Sequence, residues 1–193
     1  MSYHFYAMMS RMKYIDRWAL MRNSYPENIS EHSLEVAMLA HALALVGNRR
    51  LGKQLDAGTA ALLGMYHDCT EIITGDMPTP VKYHDDSMRE AYRKVEEKAA
   101  ERLLSGLPGD LREDYRNLLL PEEQDPYLTL LVKAADRLSA LIKCREEEKA
   151  GNREFVKAGI AVEKRLREMK LPEVDIFMQE FLPSYSLTLD ELQ

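Results

Sequence analysis

The adjacent pair His67-Asp68 closes an apolar run, Ala60-Ala61-Leu62-Leu63-Gly64-Met65-Tyr66. An imidazole and a carboxylate at the end of a buried helix are costly when unpaired, so something must compensate them. Both can ligate a divalent metal ion, one through nitrogen and the other through oxygen. Two more residues extend the pattern. His32 lies in the first helical turn of Ser30-Glu31-His32-Ser33, where the plain alternative is a solvated histidine. Asp136 falls mid-helix in Leu130-Leu131-Val132-Lys133-Ala134-Ala135-Asp136-Arg137-Leu138, where the alternative is an ion pair with Lys133 or Arg137. Together the four supply two imidazoles and two carboxylates from three helices. That set suits a borderline divalent ion with positions left open for water or substrate. Glu71 follows one turn on, and on a continuing helix it shares the side of His67 and Asp68. From there it could act on water near the ion without binding the ion itself; the alternative is an ordinary solvated glutamate.

The other candidates read as structural. His41 shares a helical stripe with Leu34, Ala37 and Leu45 and is expected to be a satisfied core histidine. His4 and His84 have terminal or polar surroundings and are expected on the surface. Cys69 and Cys144 lack metal-pair spacing and a disulfide framework, so both are taken as reduced packing residues.

The elements that must position these residues are helices, because sustained alternation and hairpin turns are missing. The spacing predicts a helix over 5–18, a loop over 23–28, and a helix from a Ser30 cap to about Val46, stopped by Gly47. That second helix is expected to turn Leu34, Ala37, Met38, His41 and Leu45 to the core. A helix over 56–73 carries His67-Asp68, with Gly75 behind it, and Met77-Pro78-Thr79-Pro80 form a fixed loop. Further helices are expected over 86–105, 109–119, 126–149 (capped by Asp125-Pro126, closed by Gly151), 153–169 and 173–181, followed by an exposed tail. The reading is a single all-α domain over residues 1–193.

Composition agrees. Of 193 residues, 46% are apolar, enough for a sizeable core. A net charge of −6 argues against a nucleic-acid polymer or an anionic membrane as partner. No run approaching membrane-spanning length and no leader pattern are read, so a cytoplasmic protein is expected.

The ordered set His32, His67-Asp68, Asp136 resembles the signature of HD-domain metal-dependent phosphohydrolases, a compact multi-helix bundle. The match is closer still to the bacterial HD-domain 5′-deoxynucleotidases. It is carried by Arg17-Trp18, by Asn28–His41 (NISEHSLEVAMLAH), by Met65–Tyr83 (MYHDCTEIITGDMPTPVKY) and by Lys133–Leu138 (KAADRL), and it extends to the Pro183–Leu187 tail. The resemblance implies that His32, His67, Asp68 and Asp136 hold one divalent ion, such as cobalt or manganese. It implies that Arg17 orients the substrate phosphate and that Glu71 is the catalytic acid or base. Trp18, Asp76, Met77, Pro78 and Thr79, with His32 and Asp68, would contact a deoxyribonucleoside 5′-monophosphate. A homodimer is also implied. The rigid Pro78-Thr79-Pro80 segment is a plausible wall against a 2′-hydroxyl.

Other readings stay open on the residues alone. One is a related hydrolase acting on cyclic nucleotides, nucleoside triphosphates or pyrophosphates. Another is a nucleotide-binding regulatory module without turnover, and a third is a purely structural helical protein that binds no metal.

Overall fold

The computed structural model describes residues 2–82, 85–120 and 125–193. Among them the chain is helical, with a lone antiparallel bridge between Asp16 and Asn28 and no strand. In order the helices are α1 (Phe5–Met9), α2 (Ile29–Arg50), α3 (Ala57–Tyr66), α4 (Glu71–Thr74), α5 (Thr79–Lys82), α6 (Asp86–Leu104), α7 (Arg112–Leu119), α8 (Pro126–Lys149), α9 (Val156–Glu168) and α10 (Pro172–Glu180). His84 and the side chain of Thr79 lie outside the described residues.

Two long helices carry the core. α2 packs on α3 and α8, and α3 also meets α8. Val36, Leu39, Ala40, Leu43, Leu63, Leu131, Ala135, Leu138 and Ile142 fill the space between them. A second apolar cluster gathers Phe5, Met12, Ile29, Cys69, Leu103, Leu104 and Leu119. Ile29 and Cys69 stand three and one residues from His32 and Asp68, so packing fixes the backbone on which those side chains sit.

The cap of α8 is as expected: the Asp125 side chain accepts from Tyr127 N–H at 2.8 Å, with Pro126 in the first turn. Gly151 at φ 85° takes the left-handed turn that closes the helix.

Five expectations need correction. The first helix does not run to residue 18: α1 ends at Met9, a 3-10 segment Ser10–Tyr14 follows, and Ile15 is extended. The pairing of Ile15 with Ile29, whose N–H donates to the Ile15 carbonyl at 3.0 Å, competes with helix there. α2 is capped by Asn28 rather than Ser30, in a capping box with Glu31, and it continues past Gly47 to Arg50. Its buried face is also rotated from the expected one: His41 is exposed, as are Leu34, Met38 and Leu45.

The third correction concerns 56–73, which is two helices broken at His67–Thr70. Fourth, residues 77–80 are not all loop, because Thr79 opens the short helix α5 with Pro80 in its first turn. Last, α2 is 22 residues long and apolar enough to meet the minimum for a membrane span, contrary to expectation. It is the central core helix, and it carries His32 and Ser33 buried.

Candidate metal and phosphate site

The break between α3 and α4 is what presents the His-Asp pair. Residues 67–70 bond at shorter range than an α-helix, Cys69 N–H to the Tyr66 carbonyl at 3.1 Å and Glu71 N–H to the Asp68 carbonyl at 3.0 Å. Cys69, Thr70, Ile72, Ile73 and Thr74 have modest helix propensity, which makes the interruption inexpensive. His67 turns back and its Nδ1–H donates to the Gly64 carbonyl at 2.8 Å. Gly64 also lets α3 approach α2, since a Cβ there would lie 2.9 Å from Ala37 Cα. The same residue thus orients one imidazole and sets its distance from the other.

His32 is fully buried, and its ring centroid lies 5.2 Å from that of His67. His32, His67 and Asp68 each offer a ligand atom within 4.8 Å of the others. His67 Nε2 is 3.1 Å and His32 Nε2 3.5 Å from the same Asp68 oxygen, Oδ2. From α8, Asp136 Oδ1 lies 3.2 Å from His32 Nε2. Adjacent donors around an ion with bonds near 2.1 Å stand about 3.0–3.4 Å apart, so the His67–Asp68 and His32–Asp136 edges match a divalent ion and the His32–Asp68 edge is slightly longer. Both Nε2 atoms are buried without a hydrogen bond, because the nearby carboxylates are off their donor direction. Orphaned buried nitrogens amid acidic oxygens are what a cation would satisfy.

The local charges are strongly shifted. Burial disfavours a charged His67, yet the adjacent Asp68 outweighs it and raises the imidazole to about 9. Burial and the Arg17 charge hold His32 below its ordinary value. Burial, reinforced by the charges of Asp68 and Asp76, pushes the Glu71 carboxyl up to about 9. Its Oε2 is buried and unpartnered. Cys69 is completely buried and its thiol is pushed up to about 12 by burial and by Asp68, which leaves it a packing residue.

Arg17 and Trp18 come from the irregular segment before α2. Glu27 Oε2 accepts from Arg17 at 2.6 Å and from Trp18 Nε1 at 3.1 Å, gripping both side chains. The other arm of the guanidinium reaches toward Asp136 at 3.9 Å. Trp18, at φ 60°, packs edge-on against Phe155. Arg17 and Trp18 are mostly shielded rather than waving in solvent, so the fork of donors beside the ligand cluster is fixed in place.

Of the residues singled out from sequence, the fold brings His32, His67, Asp68, Asp136 and Arg17 together, with Glu71, Trp18 and Asp76 around them. Met77 and Pro78 are half-buried in the segment after Asp76. Asp136 is near His32 and Arg17 rather than bridged to Lys133 or Arg137 as in the plain alternative. Sequence reasoning missed Glu27, Glu35 and Ser139. The last two were findable, since they lie one turn after His32 and Asp136, on the same helical faces.

Two imidazoles and two carboxylates, drawn from α2, the α3–α4 break and α8, stand beside an arginine fork, the arrangement of an HD-domain phosphohydrolase. The solved structures agree in fold. An HD-domain phosphohydrolase from Listeria innocua superposes with a TM-score of 0.82 at 24% identity, over 94% of this chain and 88% of that one. The HD phosphohydrolase of cyanophage S-2L, described as bound to dA and one catalytic Zn2+ ion, gives 0.67 at 18% identity, over 92% and 96%. Residues 4–185 match the family described as 5′-deoxynucleotidase YfbR-like, and the chain belongs to that family. A curated 5′-deoxynucleotidase from Yersinia pestis strain Pestoides F is 50% identical over 189 residues, 98% of this chain and 96% of the relative.

Proposed function

We propose that this chain is a metal-dependent 5′-deoxynucleotidase that hydrolyses deoxyribonucleoside 5′-monophosphates to deoxyribonucleoside and phosphate. The observation that carries the reading is the pair of orphaned Nε2 atoms, at ligand spacing from Asp68 and Asp136 and beside Arg17. Half the sequence is shared with a curated relative of that name.

His32, His67, Asp68 and Asp136 would hold the ion. Such an ion is a Lewis acid that acidifies water and draws charge from a phosphoryl oxygen. Everything else falls to the chain. Arg17, held by Glu27, would take two phosphate oxygens in its fork and keep phosphorus in line with the attacking water. As water adds to phosphorus, the bond to the 5′-oxygen breaks and that oxygen needs a proton. Glu71 Oε2, buried and without a partner, is the donor we assign, and burial and negative neighbours favour its protonated form. The proton lost by the water leaves with the phosphate or reprotonates Glu71. Trp18 offers its ring to the nucleoside, with Asp76, Met77, Pro78 and Thr79 as the remaining contacts.

Purified protein should release phosphate from dAMP, not from AMP, and EDTA should abolish release. Equal rates on the two nucleotides would remove the sugar selectivity. Release of pyrophosphate from triphosphates in place of phosphate would move the chain to another hydrolase class.

We also assign a homodimer and a single domain. On α2, Leu34, Met38, His41 and Leu45 form one exposed stripe, and α3 exposes Leu62 and Met65 nearby. Exposed apolar side chains at helical spacing on one face of α2 suit self-association better than solvent. The tail is a weaker candidate, because Tyr185 packs against the core while Leu187 and Leu189 are exposed. A cytoplasmic location fits two buried, unpaired cysteines.

A further inference from the structure

The two imidazoles of the site are held at Nδ1 by acceptors of different kinds. His67 faces a carbonyl, which can only accept, so its Nδ1 must carry a proton and Nε2 is the nitrogen left to face the ion's position. His32 Nδ1 lies 2.9 Å from the Ser139 hydroxyl, which can donate or accept. The polarity of that bond is therefore undetermined until the hydroxyl proton is placed elsewhere. Glu35 places it: Ser139 Oγ donates to Glu35 Oε2 at 2.5 Å. With its single proton committed to a carboxylate, Ser139 can only accept from His32.

We propose that Ser139 and Glu35 are positioning residues that lock His32 in its Nδ1–H tautomer and so aim the Nε2 lone pair at the ion. The proposal rests on the metal site described above. Placement supports a dedicated role. Ser139 is completely buried, as is His32. Ser139 stands one helical turn after Asp136 on α8, so α8 engages His32 at both nitrogens, Nδ1 through Ser139 and Nε2 beside Asp136 at 3.2 Å. Glu35 stands one turn after His32 on α2, so the relay closes within two packed helices. Without it, the buried imidazole could settle with its proton on Nε2, where it would face the ion's position and block ligation.

The test uses the full chain. In metal-free protein, nitrogen-15 spectra of the histidine side chains should show His32 protonated at Nδ1 and bare at Nε2. Ser139→Ala should give a mixture of tautomers. Zinc titration by calorimetry should show affinity lowered about 10- to 100-fold in Ser139→Ala. Glu35→Ala should lower it in the same direction. The double variant should bind no more weakly than Ser139→Ala, since Glu35 acts through the hydroxyl. Thermal unfolding of each variant separates this from lost folding, and the wild-type spectrum needs no variant at all. His32 protonated at Nε2 in the wild type, or unchanged zinc affinity in both folded single variants, would overturn the relay. Failure of the wild type to bind zinc would instead overturn the metal site.

Discussion

At the level of single residues, Glu71 and Glu27 make the sharpest separable claims. Glu71→Gln removes the transferable proton and keeps the volume, so kcat should fall by about 100-fold or more while KM and bound metal stay near wild type. Unchanged turnover would take Glu71 out of the mechanism. Glu27→Ala frees Arg17 and the Trp18 indole at once. It should lower kcat/KM for dAMP about 10-fold with metal content intact, and an unaltered kcat/KM would mean that Arg17 is held well enough by other contacts. His32, His67, Asp68 and Asp136 were legible because ionisable groups inside apolar runs are conspicuous. Glu27 was not, because a glutamate before a helix reads as an ordinary solvated side chain. His41 misled for the converse reason: an apolar stripe marked a face, and that face proved to be the outer one.

At the level of elements, the local signals for helices were readable and their interruptions were not. Capping at Asn28 and Asp125 is written in short side chains, whereas the break at His67–Thr70 depends on where α3 meets α2. Gly64 sits at that meeting. Gly64→Ala should destabilise the fold by about 1–3 kcal/mol, measured by denaturant unfolding, and weaken metal binding by displacing His67. Loss of neither would mean that α2 and α3 can separate freely. The segment bearing Arg17 and Trp18 has its own anchor on α8. The buried Glu147 carboxylate accepts from Ser24 N–H at 2.8 Å, Asn152 at 2.8 Å and Lys143 at 2.5 Å. Despite burial, these donors hold Glu147 down at about 2, below its ordinary 4.5. Because the folded value is the lower one, its contribution is complete above about pH 4.5 and is lost as pH falls through about 2. Glu147→Gln should cost about 3 kcal/mol at neutral pH, by leaving Lys143 buried beside an uncharged partner. It should also flatten the acid limb of the stability profile; an acid limb identical to wild type would assign that limb to other carboxylates.

For the whole molecule, the all-α class followed from helical periodicity along the entire chain, while the proposed partner surface depended on which face of α2 the core claimed. Met38→Asp should convert a dimer to monomers in sedimentation without loss of helicity; dimers that persist would place the interface elsewhere. Bound metal should also stabilise the whole fold, by about 3 kcal/mol at a hundredfold excess over Kd, seen as a higher Tm than in EDTA. The order of the helices has a consequence for synthesis. His32, His67 and Asp68 lie within the first 68 residues, but the helix that supplies Asp136 and covers α2 and α3 begins at Pro126. At typical ribosomal speeds, α2 and α3 wait roughly 3–12 seconds for it. Through that interval the nascent chain carries three of the four proposed ligand side chains and an uncovered apolar face. It acquires most of the proposed site before it has a finished interior.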